Sequence, residues 1–591
     1  ETNATIAENC DFAYGELHNT RAGFAIKTMA NAAMSLYTDN GLTFYSWLED
    51  VNAVRSPMSR DPFDRLYYTT PTDFRVASRS SMAAGGGPPP SSYRVGVPRP
   101  TVAPVVSVSP VSPFASATLA ATFHYEYCGV KYQEQAMPLT VVTSLETWIF
   151  TPPVKATLPN GGGTPVQALP VIRLVAKDTA IKDVLLDVYT ANSSLNTDTA
   201  YALSIVKTGT AEDYAVALTA ANRAGDKRAR AYTYTYVNIY GEEGPSSSPS
   251  SLTILGRTNV TVDVVRDAAA IGFAPIKEIR IYRTSDGSSI ADFFLAGNVP
   301  VLAASGAAFS FTDAVEAADL NDALASEFYY PPDQQLIGLT SFPNGILMAW
   351  KGNELHFSDP YKPWSWPPAY VKTFGSHQVV GAIVIGSAAL VTTTGPAYFI
   401  SGVSPDSMTE SPPLTEQAGA SKWSIANVGD AIMYASHDGL VTVAGGQASM
   451  ERSERFFTRD IWRAKYGAGL TGMRFSVWDG WLIVYSSAGA FVPFMINLDE
   501  ARGAMTDIPS FKAACSFISP LSDQCYFMNG ATLYQFAGGA DEALTWQSRE
   551  MVLGRPTNFG VAQAICSGNW QIAVYALVKD PLTNLSGFVL K

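Results

Sequence analysis

The stretch "AIMYASHDGLVTVAGG", residues 431–446, contains an apolar strand, a polar turn with an Asp-Gly pair, and a second apolar strand. Valine, isoleucine and tyrosine favour strands, whereas Asp and Gly favour tight turns. An isolated hairpin cannot bury both of its faces and therefore needs neighbouring strands. The sequence predicts that this hairpin is one unit of a larger β-structure.

The same pattern occurs four more times in the C-terminal half of the chain. These hairpins begin at Ile346, Ala388, Trp481 and Gln524, so consecutive hairpins start 42 to 50 residues apart. Hairpins at intervals of ~40–50 residues are typical of β-propellers, in which each blade is a four-stranded sheet. We therefore predict a mainly β protein whose residues 336–550 form consecutive propeller blades. The aromatic residues expected on blade strands are Trp350, Phe357, Tyr398, Tyr434, Tyr485 and Tyr526.

The N-terminal segment is assigned to the same propeller. "LTFYSWLEDVNAV" from Leu42 and "DRLYYTTPTDFRVAS" from Asp64 indicate strand pairs, and the proline-rich stretch 83–92 indicates an exit from this region. We expect residues 1–104 to form the N-terminal part of the propeller and residues 331–591 to form its C-terminal blades. A long insertion separates the two parts.

The insertion is predicted to contain two units. Residues 105–228 are interpreted as a platform with helices, because Ile181, Val184, Leu185 and Val188 follow a helical period and "TAEDYAVALTAAN" begins with a threonine cap. Residues 229–330 are interpreted as a fibronectin-like β-sandwich. Its first strand lies in "AYTYTYVNIYGEEGPSSSPS", residues 231–250, where Tyr and Thr alternate. Glu242 and Glu243 are expected to be solvated turn residues.

Composition excludes several classes of protein. Hydrophobic residues make up 47% of the 591 residues and charged residues 16%, which excludes a disordered chain. The net charge of −12 argues against a protein that grips nucleic acid with its whole surface. The apolar run from Val379 to Val391 is shorter than the ~20 residues of a membrane helix and is interpreted as strand, turn and strand. Cys515 and Cys525 could pair across a hairpin, but two buried thiols are the preferred interpretation.

No catalytic, cofactor or metal motif is recognisable. The five histidines form no close pair, the cysteines form no metal-ligand spacing, and no phosphate-binding or nucleophile-elbow motif occurs. We therefore expect no enzyme activity, cofactor or metal. Two segments allow alternatives. "PYKPWSWPP", residues 360–368, has two interpretations. It is either a surface on which carbohydrate or a partner protein docks, or a loop whose rings pack on the propeller edge. Residues 450–467 are a solvated amphipathic connector, or an intersubunit contact through Arg452, Arg455, Arg459 and Arg463.

Four stretches in this order resemble the tail nozzle (tail tubular) proteins of short-tailed bacteriophages. They are "RDPFDRLYYTT" (60–70), "YRVGVPRPTVAP" (93–104), residues 231–250, and "EIRIYRTSDG" (278–287). The resemblance spans most of the chain. It implies a propeller with inserted domains, six copies of which form a ring that extends the DNA channel below the portal and adaptor.

The resemblance also implies a function and partners. We expect a structural virion protein of the tail, assembled in the host cytoplasm. It would let double-stranded DNA pass without specific binding and would support fibres or spikes. Its partners would be copies of itself in a homohexamer, the portal-side adaptor, and fibres or spikes, with no stable membrane insertion. The alternative is a β-propeller that binds or depolymerises cell-surface polysaccharide, which requires paired carboxylates and aromatic rings in one pocket.

Overall fold

The computed structural model describes most of the chain, with backbone alone between residues 108 and 228. The described residues are 4–11, 16–79, 86–110, 118–127, 130–137, 140–141, 147–150, 157–158, 166–167, 169–177, 184–189, 201–207, 214–220, 228–255, 258–266, 270–285, 292–302, 307–315, 317–320, 322–450, 454–499, 504–548, 568–569, 571–573, 575–579 and 586–590. Over these ranges the protein is mainly β.

The strands before the insertion are short, and several are fully buried. They are β1 Ile6–Glu8, β2 Cys10–Asp11, β3 His18–Asn19, β4 Phe24–Thr28, β5 Ser35–Thr38, β6 Phe44–Trp47, β7 Asn52–Arg55, β8 Leu66–Thr69, β9 Phe74–Ala77 and β10 Tyr93–Arg94.

The insertion contains a second series of strands. They are β11 Val105–Pro110, β12 Thr118–Tyr127, β13 Val130–Met137, β14 Thr140–Val141, β15 Thr147–Phe150, β16 Thr157–Leu158, β17 Val166–Gln167, β18 Leu169–Lys177, β19 Val184–Tyr189, β20 Tyr201–Lys207, β21 Tyr214–Ala220, β22 Arg228–Arg230, β23 Tyr232–Asn238, β24 Thr253–Leu255, β25 Thr258–Val265, β26 Ile276–Thr284, β27 Phe293–Pro300 and β28 Ala308–Asp313. A 3₁₀ turn spans Ala317–Asp319.

The C-terminal part continues as strands with short helical segments. Its strands are β29 Ile337–Phe342, β30 Ile346–Lys351, β31 Glu354–Phe357, β32 Val371–Thr373, β33 Val379–Ile385, β34 Ala388–Thr393, β35 Ala397–Ser401, β36 Thr409–Glu410, β37 Ile425–Asn427, β38 Ala431–Ala435, β39 Leu440–Ala444, β40 Gln447–Ser449, β41 Met473–Trp478, β42 Trp481–Ser486, β43 Phe494–Asn497, β44 Met505–Asp507, β45 Cys515–Ile518, β46 Cys525–Asn529, β47 Thr532–Gln535, β48 Thr545–Gln547, β49 Tyr575–Lys579 and β50 Ser586–Leu590. Helix α1 spans Arg459–Tyr466, and 3₁₀ segments span Pro405–Ser407 and Gly467–Gly472.

Six antiparallel meanders organise the N- and C-terminal parts. Sheet A contains β7–β10, sheet B β29–β32, sheet C β33–β36 and sheet D β37–β40. Sheet E contains β41–β44, extended at its outer edge by β1 and β48, and sheet F contains β45–β47 with β4 as its fourth strand. All five predicted C-terminal hairpins are present, each as the second and third strands of a sheet. The six aromatic residues predicted to lie on strands do so.

The first strands of successive sheets lie beside one another. β7 contacts β29, and the series continues through β33, β37, β41 and β45. The hairpin β5–β6 packs on sheet F through Leu36 and Phe44, and on sheet A through Tyr45 and Trp47. The segment Val379–Val391 forms strand, turn and strand, as predicted. Among the described residues, no helix combines the length and apolar character that a membrane crossing requires.

Two three-stranded sheets in the insertion share one core. One contains β23, β26 and β27, and the other contains β11, β25 and β28. The alternating tyrosines of β23 are buried against Val262 of β25 and Ile281 of β26. We call this unit the sandwich. Because β11 pairs with β25 along its whole length, residues 105–110 lie in the sandwich sheet and not in the separate platform to which the sequence assigned them.

The prediction of helices in the platform is wrong. The described residues of those two segments are strands β19 and β21. β19 pairs with β18, whereas β21 lies between β15 and β20. Short apolar runs fit both a helical and a strand period, and here pairing with distant strands overrides local helix propensity. The prediction of a platform domain itself remains a prediction.

Candidate functional site

A buried ion cluster joins sheet A to the sandwich. Arg65, just before β8, bonds through Nε to Asp61 Oδ2 at 2.7 Å and through Nη1 to Glu242 Oε1. The three side chains are 5% exposed or less. Asn238 donates from Nδ2 to the other Glu242 oxygen at 2.7 Å. We call these residues the junction cluster.

The junction cluster carries one more carboxyl than it has basic groups, and burial acts differently on the two acids. Desolvation raises the pKa of Glu242, because its favourable contacts with Arg65 and Asn238 only partly compensate for burial. Burial also disfavours ionised Asp61, but the hydrogen bond and charge of Arg65 outweigh it and hold the pKa of Asp61 below its ordinary value. The guanidinium of Arg65 also lies 5.1 Å from the centre of the Tyr240 ring. The cluster therefore acts as a structural contact between two folding units.

The neighbouring Glu243 ties the same turn to β26 and to the tryptophan loop. Its carboxylate accepts hydrogen bonds from Arg280 Nη1 and Tyr282 Oη, both at 2.8 Å. Its main-chain oxygen accepts from Trp364 Nε1 at 3.2 Å. The prediction that Glu242 and Glu243 are solvated is therefore wrong. The turn packs closely on the segment after β10, since a Cβ added at Gly244 would lie 2.7 Å from Val97, a residue of the sandwich core.

A second buried ion cluster lies inside the sandwich. Asp313 Oδ2 accepts from Tyr232 Oη at 2.7 Å and contacts Arg230 Nη1 at 3.1 Å and Arg283 Nε at 3.0 Å. The side chains of Arg283 and Asp313 are fully buried. Tyr232 and Arg283 come from two of the stretches that carry the resemblance. These stretches therefore contribute buried charge contacts as well as strands and turns.

The first strand of sheet A also contacts the segment that precedes sheet D. Lys422 Nζ lies 2.8 Å from Asp50 Oδ2 and 2.7 Å from Asn52 Oδ1. Trp423 Nε1 donates to Asp50 Oδ1 at 2.7 Å. Sheets B and C intervene between A and D in the series of neighbouring first strands. This contact, the cross-sheet contact below, therefore links two sheets that are not neighbours in that series.

The predicted arginine group is split between described and undescribed residues. Arg459 and Arg463 of α1 contact Asp438 at 2.6 and 2.5 Å, while more than half of each arginine side chain is exposed. Burial opposes ionisation of Asp438, but these hydrogen bonds outweigh it and lower its pKa. Arg455 lies just before α1, and Arg452 lies outside the described residues. Both arginines that pair with Asp438 thus act within the chain, and the intersubunit role remains a prediction.

Trp366, considered above for carbohydrate or partner binding, and the two cysteines considered for a disulfide are buried in the fold. Trp366 is 5% exposed and packs edge-on against Phe74, as expected for a loop on the edge of the sheets. Cys515 and Cys525 are buried and free, which confirms the interpretation as buried thiols. Within the described ranges, no group of three or more His, Cys, Asp or Glu residues could hold a metal ion.

Two clefts among the described residues are small. One, of about 40 Å³, is lined by residues 20–23, by Phe511 and by Phe527 of β46. The other, of about 10 Å³, is lined by Tyr37 and Tyr45 with Asp39 and Asp64. Asp39 contacts Arg79 at 2.9 Å, and Asp64 contacts Arg55 at 3.0 Å. Each carboxylate is thus paired with an arginine, and the volume suits about one water molecule.

Sequence reasoning missed the residues of both ion clusters and of the cross-sheet contact. Arg65 and Glu242 are 177 residues apart, and Lys422 and Asn52 are 370 residues apart. The periods of helices and strands relate only residues a few positions apart, so they do not indicate contacts over such distances. For the cluster around Asp313, one available signal was the presence of charged residues inside strand segments, because a buried charge requires a partner.

Comparisons with known proteins identify no family for this chain. No protein-family model and no curated protein matches it. PorZ, a surface component of the type-IX secretion system of Porphyromonas gingivalis, is similar over 52% of this chain at 12% identity, with a TM-score of 0.24. This chain spans 37% of the PorZ chain. Two structures of the extracellular domain of BT4673 from B. thetaiotaomicron match 88% and 89% of this chain and 83% and 84% of their own, at 8% identity, with TM-scores of 0.20 and 0.21. Similarities this low carry no argument about function.

Proposed function

We propose that the chain is a structural, non-enzymatic virion protein, a tail nozzle protein whose sheets A–F and hairpin β5–β6 form a β-propeller. Support for the propeller comes from the succession of four-stranded meanders with adjacent first strands. The hairpin packs on the sheets at both ends of the series, which favours a closed ring. Closure would remove the apolar faces that an open series leaves at its two ends.

The observation that carries the proposed role is the junction cluster. Asp61 and Arg65 lie in one stretch that resembles nozzle proteins, and Glu242 lies in another. Removing one partner from a buried ion pair typically costs about 3–5 kcal/mol, so such a contact holds two units in a fixed relation. A fixed inserted domain suits a part that bears load and presents docking sites for fibres or spikes. The proposed partners are therefore other copies of the chain, the adaptor, and fibres or spikes.

The proposed mechanism is passive conduction of DNA. Double-stranded DNA carries one negative charge per ~1.7 Å of axis, so a neutral or acidic wall avoids contacts that would arrest a moving genome. The net charge of −12 per chain agrees with such a wall. Duplex DNA should bind the isolated protein no more tightly than ~10⁻⁴–10⁻⁶ M, and added salt should abolish that binding.

Negative-stain microscopy of the purified protein tests the proposal. A six-fold ring with a central opening is expected. Particles that remain monomeric at high protein concentration and in the presence of the adaptor would contradict it, as would tight DNA binding that persists at high salt. Release of sugars from a host polysaccharide would favour the depolymerase alternative, which the small arginine-paired clefts do not support.

A further inference from the structure

The cross-sheet contact places an amine, a carboxamide and a carboxylate together. Lys422 Nζ lies 2.7 Å from Asn52 Oδ1 and 2.8 Å from Asp50 Oδ2. Because a C=O bond is ~1.2 Å long, the Asn52 carboxamide carbon is within about 4 Å of Nζ. That separation is close to the ~3–3.5 Å of a near-attack arrangement. Asp50 contacts the same nitrogen and is therefore positioned to accept its proton.

We propose that Lys422 and Asn52 form an intramolecular isopeptide bond, with Asp50 as the group that transfers the proton. The bond would join the first strand of sheet A to the segment that leads into sheet D. The proposal depends only on these three side chains and their surroundings. It is independent of the tail nozzle function, so either proposal can fail without the other.

The surroundings of Lys422 favour its nucleophilic form. Its side chain is only 13% exposed, and desolvation lowers the pKa of the ammonium group, with Asp50 opposing the shift and Arg474 adding to it. The Lys422 nitrogen lies 4.7 Å from the centre of the Trp423 ring, and Arg474 lies 5.0 Å from the same ring. A neutral amine is the nucleophile that attacks a carbonyl carbon.

The reaction balances without an oxidant or a cofactor. Asp50 takes a proton from the Lys422 ammonium, and the neutral Nζ attacks the Asn52 Cγ. Asp50 then returns the proton to the Asn52 Nδ2 as the C–N bond of the carboxamide breaks. Nζ loses its second proton to Asp50 as it becomes an amide nitrogen, and that proton passes to the released ammonia. Ammonium leaves, Asp50 is again ionised, and a secondary amide joins the two side chains. Asp50 is 38% exposed, which gives the leaving ammonia a route to solvent.

Asp50 is held in position for this proton transfer. Its second oxygen accepts the Trp423 indole N–H at 2.7 Å, which leaves the first oxygen directed to Lys422. Trp423 is itself fixed to sheet E, because its main-chain oxygen accepts from Phe475 N at 3.0 Å. Trp423 is therefore a positioning residue for the reaction.

Intact-mass spectrometry of the purified, denatured full chain tests the proposal. The expected mass is one ammonia below that of the sequence, and digestion should release one branched peptide that contains both Asn52 and Lys422. Three variants, Lys422→Met, Asn52→Ala and Asp50→Asn, should each show their full sequence mass. The matched control is Lys351→Met, since Lys351 contacts the carboxylate of Asp333 at 2.5 Å on an exposed surface. It should stay one ammonia below its sequence mass.

Several results would overturn the proposal. A wild-type chain of full sequence mass would do so directly, without any variant. So would a lighter chain without the branched peptide, or a chain that has lost water through a link to Asp50. If Asp50→Asn still forms the link in full, Asp50 is not the proton-transfer group and the mechanism is wrong.

Discussion

Glu242 shares Arg65 with Asp61 in a buried site, and this arrangement makes stability depend on pH. Because burial raises the pKa of Glu242, folding favours its protonated form. Its contribution to stability is therefore present at low pH and is lost as the pH rises through its folded-state pKa. Glu242→Gln cannot ionise and should lack this loss. Urea unfolding at a series of pH values should show wild type losing stability relative to the variant as the pH rises. A difference that is constant or grows in favour of wild type would contradict the prediction.

Arg65 is the single positive charge between two buried carboxyl groups. Arg65→Met removes it and leaves Asp61 and Glu242 buried without their cation, which should cost about 3–5 kcal/mol in the free energy of unfolding. The matched control is Arg55→Met, because Arg55 pairs with Asp64 while its own side chain is 58% exposed. Such an exposed pair should contribute less than about 1 kcal/mol. Denaturant unfolding of both variants measures the contrast, and equal losses would show that burial of the junction cluster is not decisive.

Helix α1 shows how an element is fixed by packing and by charge together. Trp462 and Tyr466 are buried in the core between sheets D and E, while Arg459 and Arg463, on the adjoining face of the helix, pair with Asp438. Asp438→Asn should therefore loosen α1 without unfolding it. Amide hydrogen exchange in residues 459–466 should become faster, while exchange in β42 stays unchanged. Asp460→Asn, on the exposed first turn of the same helix, is the control. Unchanged exchange in α1 would mean that aromatic packing alone fixes it.

The elements differ in how far the sequence predicts them. The hairpins of sheets B–F follow from alternation and turn residues within about 16 positions, and all five are present. β19 and β21 were not predictable in this way, because their pairing with distant strands decides their conformation. The ion clusters were missed for a related reason, since Arg65 and Glu242 meet only after the sandwich docks on sheet A. The local sequence pattern therefore predicts the hairpins, whereas the ion clusters depend on contacts between distant parts of the chain.

At the scale of the whole molecule, the insertion leaves and returns at one place. A Cβ added at Gly96 would lie 2.7 Å from Pro331 Cα, although the two residues are separated by the whole insertion. Chain ends that lie this close allow a segment to be removed without stretching the remainder. We therefore predict that a chain in which residues 98–330 are replaced by a short glycine linker still folds. Circular dichroism should retain a strand spectrum, and thermal unfolding should remain cooperative.

The deletion should also lower stability in a way that the junction cluster explains. Without Glu242, the Arg65–Asp61 pair remains but faces the surface that the sandwich covered. Arg65→Met should then cost less in the shortened chain than in the full chain, because water can reach Asp61. Denaturant unfolding measures the loss of stability that Arg65→Met causes in each chain. The difference between the two losses is the part that depends on docking of the sandwich on sheet A. If the shortened chain only aggregates, even when a polar residue replaces Phe63, whose ring packs against Tyr240 in the full chain, the sheets need the insertion in order to fold. In that case sheets A–F and the sandwich form one cooperative unit and not a ring with a separable domain.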